Sequence, residues 1–304
     1  MLAVVWQSCA GGARVLRVLG DTPCPVVPHA VDGVPVVEIG PYCFADKPVT
    51  GGTLWPADSA DTHEITGNFV EEVTLPDAVR VIDSAAFYNC RRLRRVALGP
   101  TADSFGSDLF TNCRSLQTLE LHADPGEPTG LRRLLVAISA DVTVAFTGGA
   151  RLFYPEYFEL LDENTPAHIF NHSIEGEGYR MRQCFAPDGS LDFAAYDASF
   201  AQACVGESEE KLCKLALGRL CLPYALSDDA RADYEFYLTA HPDAAFTLAI
   251  TARDETAVRL LVGLALPTAR AAAYCAQQGW SAGAALLLGR RHKAAKKTYD
   301  FDDL

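Results

Sequence analysis

The stretch "IDSAAFYNCRRLRRVALGP", residues 82–100, decides the fold once it is set beside "FGSDLFTNCRSLQTLELHA", residues 105–123. Phe87 aligns with Phe110, Asn89 and Cys90 with Asn112 and Cys113, and Leu93 with Leu116, all at one spacing of 23 (87 to 110). Self-similarity at a fixed period of this size is the mark of a stacked repeat. The same spacing links apolar pairs that each straddle one outward residue: Val73 and Leu75, Val96 and Leu98, Leu119 and Leu121, Val142 and Val144. Alternation of that kind predicts half-buried strands. The Ile82 and Phe87 positions send a second apolar set inward from the opposite side. One turn alone cannot bury both sets, but turns stacked at strand spacing share one continuous core.

The residues in "VEEVTLPDAVRVIDSAAFYNCRRL", 70–93, resemble the BspA-like leucine-rich repeat: a strand ending in Leu-Pro, then Val-x-x-Ile, an Ala-Phe pair, a Cys and a Leu. "VLRVLGDTPCPVVPHAVDGVPVVEIGPYCFAD", 15–46, is similar to the segment that opens such arrays. The resemblance covers residues 12–147. It implies a right-handed β-solenoid that recognises another protein or peptide. Between Phe44 and Phe87 lie too few residues for two full units, so a degenerate unit is expected there, with "TLWP" at 53–56 as its loose strand and "ADSADTHE" as a surface excursion. After Leu121, "GLRRLLVAISA" places Leu131, Leu134, Leu135 and Ile138 at helical spacing. A short helix is expected there, followed by a last strand, Val142 to Phe146.

Past residue 149 the strand period is lost, which predicts two domains, 1–149 and 150–304. The fold class is α+β: a leucine-rich-repeat solenoid followed by an all-α domain of helical hairpins. Helix starts are expected at Ser208, Ser227, Pro242, Glu255, Pro267 and Ser281, from N-capping side chains, first-turn acids and first-turn prolines. "ITARDETAVRLL" at 250–261 and "AQQGWSAGAALL" at 276–287 align at an offset of 26 (250 to 276). That is weakly similar to degenerate ankyrin hairpins, and an ordinary helical bundle fits equally well.

The chain has 304 residues, a net charge of −13 and 49% hydrophobic content. An acidic balance argues against nucleic-acid and anionic-membrane partners, because both need a basic face. Lys293, Lys296 and Lys297 read as a solvated helix end. No apolar run reaches the ~20 residues that span a bilayer, and the N-terminus has no export signal pattern, so a cytoplasmic location is expected. The ten cysteines are scattered through apolar patterns without a CxxC pair, as reduced, buried thiols would be.

His168 and His172 are spaced to share a helix face, with Asp162, Glu163 and Cys184 as neighbours in sequence. This makes residues 151–205 the alternative candidate for a metal-dependent or enzymatic module. The position after the first His is Ile169, where a zincin needs Glu. No GxSxG, P-loop or dinucleotide fingerprint is present in the sequence. The leading reading is a non-enzymatic interaction protein with no cofactor. Its binding residues would be the outward strand positions Glu72, Thr74, Arg95, Ala97, Thr118, Glu120, Asp141 and Thr143. His168 and His172 would line a groove between the halves. A surface adhesin is the third reading. The oligomeric state is left open.

Overall fold

The computed structural model describes residues 2–57, 62–164 and 169–294. It divides into two compact units, Met1–Gln202 and Ala203–Leu304.

The first unit is built on two ladders. Strands Glu72–Thr74, Arg95–Leu98, Thr118–Leu121 and Val142–Phe146 pair in parallel, and Ala150–Tyr154 adds antiparallel to Val142–Phe146. The second sheet carries Gly12–Leu19, Val34–Ile39, Val81–Ile82 and Ser104–Phe105 in parallel order, with Ala3–Cys9 and Thr53–Trp55 antiparallel beyond them. The expected inward residues form the shared core: Val73, Val96, Leu119 and Val144 sit in one register row and are at most 1% exposed.

Loops joining the two sheets carry the repeated Phe, Asn and Cys, and each type has its own task. Phe44, Phe87 and Phe110 stack with centroids 5.1 and 5.4 Å apart and planes within 13°. Asn89 and Asn112 adopt left-handed φ of 62° and 63°, which Asn tolerates better than most residues, and Asn112 Nδ2 donates to Asn89 Oδ1 at 2.8 Å. The thiols of Cys90 and Cys113 donate back to the carbonyls of Phe44 and Phe87 at 3.2 and 3.0 Å.

The degenerate unit expected between Phe44 and Phe87 is not a turn of the stack. Phe44 lies directly on Phe87, and Thr53–Trp55 leaves the array to pair with Ala3–Cys9. Residues 58–61 of the expected excursion lie outside the described residues. The expected short helix is present as Leu131–Val136, and it begins at Gly130. A Cβ there would sit 2.1 Å from the Ala102 carbonyl oxygen, so only glycine lets the helix approach the preceding turn.

The parallel stack stops at Phe146, near the expected boundary at 149, while the compact unit runs on to Gln202. Strand Ala150–Tyr154, a hairpin of Phe158–Asn164 and Ile169–Glu175, and short helices complete it. His172 therefore stands on a strand rather than a helix. The β-branched and aromatic residues of "IFNHSIE" favour a strand over helical spacing.

The second unit is helical. Ser208 and Ser227 cap helices Glu209–Cys221 and Asp228–Ala240 by accepting from the backbone N–H groups of Lys211 and Ala230. Pro242 opens Pro242–Thr251, and Asp254 caps Glu255–Gly263. Helices Ala269–Gln277 and Ser281–Ala294 follow. The offset of 26 is reproduced in hydrogen bonds: Asp254 N–H donates to Ala249 O as Trp280 N–H donates to Cys275 O, both at 2.9 Å. Arg253 and Gly279 hold equivalent left-handed φ of 51° and 64°.

Candidate binding surface

The outward positions of the parallel sheet fall into two rows. One runs Glu72, Arg95, Thr118, Thr143; the other runs Thr74, Ala97, Glu120, Ala145. Seven of the eight expected residues fall in these rows, with Thr143 opposite Thr118 rather than Glu120. The fourth strand departs from the 23-residue period, since Thr143 pairs with Thr118 at a spacing of 25 (118 to 143). Helix Leu131–Val136 and its exit take up the two extra residues. Asp141 is thereby moved out of the face, and its Oδ1 accepts from the backbone N–H of Glu156 at 2.7 Å. Ala97 is in register but fully buried, because a methyl group flanked by the longer Thr74 and Glu120 side chains is covered by them.

Charged groups on this face are linked across strands. Arg95 Nε donates to Glu120 Oε2 at 3.1 Å, and Arg95 Nη1 lies 3.8 Å from Glu72 Oε2. His122 continues the outward alternation of Thr118 and Glu120. Its Nδ1 is 2.7 Å from Asp77 Oδ1, and its Nε2 is 3.7 Å from Glu120 Oε1. The result is a continuous strip: Glu72, Arg95, Glu120, His122, Asp77. His122 was findable in the sequence, two residues beyond Glu120 on the same strand face. Asp77 follows the strand and carried no such signal.

Of the other arginines in the 91–95 run, the exposed Arg92 and Arg94 both bond to Glu71, Arg94 at 2.9 Å. The strip is half-buried, with three carboxylates around one guanidinium and one imidazole. An arrangement of this kind offers acceptor oxygens to lysine, arginine or backbone N–H groups of a partner.

Among the described residues of 151–205 no convergent set of catalytic or metal-ligating side chains is present. His168 lies outside the described residues, and His172 is exposed, with its Nε2 3.4 Å from Glu159 Oε2. Burial, together with Asp192, pushes the Cys184 thiol up to about 11, against the nucleophilic form. Among the described residues, no group of three or more His, Cys, Asp or Glu side chains could hold a metal ion. No helix among them is long and apolar enough to cross a membrane.

Among the described residues Arg17, Arg182 and Arg219 are buried, and the first two bind together distant parts of the chain. Arg17 donates to the carbonyls of Cys43 at 3.1 Å, Ala45 at 2.7 Å and Lys47. Arg182 donates to the carbonyls of Ile138 at 3.0 Å, Ala140 at 2.7 Å, Gly178 at 2.9 Å and Pro155. Its guanidinium also lies 5.1 Å from the Tyr157 ring centroid, a cation–π contact.

The stacked turns, with their Phe, Asn and Cys ladders, define a leucine-rich-repeat array. Residues 66–126 match the family described as "BspA type Leucine rich repeat region (6 copies)", and the repeats of this chain are of that type. A solved structure of a leucine rich cell surface protein from Faecalibacterium prausnitzii A2-165 is 19% identical, with a TM-score of 0.27. The alignment covers 46% of this chain and 40% of that one, so the chain spans less than half of that protein's length. No curated protein matches the chain.

Proposed function

We propose that the protein is a non-enzymatic interaction module whose parallel strand face holds a segment of another protein. The observation that carries this reading is the cross-strand strip from Glu72 to Asp77. It lies on the outward face of a repeat type whose stacked surfaces serve recognition. Its three carboxylates favour a partner segment rich in lysine or arginine.

The test is a comparative pull-down. Arg95→Glu combined with Glu120→Arg rebuilds the ion pair in reverse and so spares the fold, while inverting the charge order met by a partner. Proteins captured by the wild type are expected to be lost or strongly reduced. An identical set of captured proteins would overturn the strand face as the site.

A further inference from the structure

Among the described residues, the chain itself closes both edges of the parallel sheet of this array. At the first edge of the parallel sheet, Pro23 and Pro25 carbonyls accept from the N–H groups of Glu71 and Thr74 at 2.8 and 3.0 Å. At its last edge, strand Ala150–Tyr154 pairs antiparallel.

The loop side carries a ladder that runs in one direction. Each turn donates N–H groups to carbonyls of the next: Phe44 to Ala86 at 2.8 Å, Ala85 to Ser107 at 2.8 Å, Phe87 to Leu109 at 3.2 Å and Asn89 to Thr111 at 2.9 Å. A one-way ladder must begin with spare carbonyls and end with spare N–H groups, and buried backbone groups of either kind need partners. Arg17 closes the beginning, since its guanidinium holds the Cys43 and Ala45 carbonyls of the first turn.

Among the described residues, nothing equivalent closes the end. The next N–H groups in the series belong to the buried Phe110 and to the exposed Asp108 and Asn112, and among the described residues none of the three has an acceptor, so the outer two face solvent and all three are open to a partner. Several carbonyls that follow in the chain are committed elsewhere. Those of Gly130, Leu134 and Leu135 are bonded within the helical turns, and those of Ile138 and Ala140 are turned to Arg182. Between the two walls lies a cleft of about 380 Å³, lined by residues 110–114 and Leu116 on one side and by residues 137–140 on the other. Phe110, Leu116 and Ile138 make it partly apolar, and the exposed Arg114 lies at its margin.

We infer that this cleft binds a peptide segment of a partner protein, which adds one more rung to the ladder. Carbonyls at alternate positions of that segment accept from Asp108, Phe110 and Asn112, as Ser107, Leu109 and Thr111 accept within the stack. An apolar side chain fills the space beside Phe110 and Leu116, and a flanking acidic residue meets Arg114. Strand-type additions of this kind draw affinity from main-chain bonds and selectivity from alternate side-chain pockets. The site is on the loop side of the array and is independent of the strand face proposed above.

The array itself supplies the probe: a fluorescent, end-blocked peptide Phe-Gly-Ser-Asp-Leu-Phe-Thr-Asn-Ser, copying residues 105–113 with Ser in place of Cys113. Binding to the full chain is read by anisotropy and by hydrogen exchange of the 106–114 segment. Expected are saturable binding and slowed exchange over that segment. Ser139→Trp, at an exposed position of the far wall, is expected to weaken binding at least about ten-fold. Ala137→Glu, which sets a carboxylate opposite the acidic probe, should act the same way should the tryptophan variant misfold. Arg259→Ala, at an exposed position of helix Glu255–Gly263, should leave binding unchanged. Absence of saturation up to roughly 1 mM, or equal binding by a scrambled peptide or by the wall variants, would overturn the inference.

Discussion

Replacing Arg17 with Met removes the group that closes the start of the loop ladder and leaves a chain of similar length in its place. Arg17, Cys43 and Ala45 are all fully buried. The Ala45 carbonyl still accepts from the backbone N–H of Lys47 at 2.8 Å, but the Cys43 carbonyl loses its donor and cannot turn to water. A buried polar group left without a partner costs about 1–3 kcal/mol. In a unit of this length each kcal/mol lowers the melting temperature by about 2–4 °C, so a fall of about 4–8 °C is expected for a central cost of about 2 kcal/mol. Lys47 is exposed, and its carbonyl can exchange the guanidinium for solvent at little cost. Differential scanning calorimetry reads the shift directly, and urea titration gives the free energy. Glu64→Gln is the control, because Glu64 Oε2 lies 3.3 Å from Arg17 Nε but its side chain is 56% exposed. An exposed carboxylate of that kind contributes about 0–1 kcal/mol. Should Arg17→Met melt within about 2 °C of the wild type, or Glu64→Gln cost as much, the account of Arg17 as a carbonyl cap is wrong.

Phe87→Ala empties the middle of the aromatic stack between Phe44 and Phe110, and is expected to cost about 3–5 kcal/mol by urea denaturation. Ala265 is exposed with φ 62°, so Ala265→Gly is expected to raise stability by about 1 kcal/mol in the same assay. Burial pushes the Cys43 and Cys113 thiols up to about 12 from 9.0. Thiols whose folded values lie above their unfolded ones support the fold fully below pH 9, and that support is lost as pH rises towards 12. Stability followed from pH 8 to 11.5 should fall, and alkylation of the native protein should reach the exposed Cys24 before either of them.

The parts of the fold legible in the sequence were those held at constant spacing by stacking. Phe87 over Phe110 and Val96 beside Leu119 must recur at one interval, because each contacts its equivalent one turn on. Helix starts were legible because Ser208, Ser227 and Pro242 act through local backbone chemistry. Counting failed where the chain left the stack and returned. Phe44 meets Phe87 across an excursion, and Val144 meets Leu119 at 25 residues, which displaced Asp141 from the expected face. Ala97 was read as outward from alternation alone, and alternation carries no information about how far neighbouring side chains reach. Arg17 carries one sign in the sequence, a lone cation among Val15, Leu16, Val18 and Leu19. Nothing local marked Arg182, since the carbonyls that hold it at Ile138 and Ala140 are more than forty residues away (182 − 140 = 42).

The direct contact of Phe44 with Phe87 has a practical consequence. The stack tests only whether the next ring arrives in place and is indifferent to how much chain is spent on the way. Lengthening a flexible surface connection is cheap, about 0.6 kcal/mol for each doubling. Ala57, exposed in the turn that follows strand Thr53–Trp55, is therefore a natural port for a foreign sequence: an epitope tag, a fluorescent reporter or a protease site could be spliced there while the rings on either side remain in register.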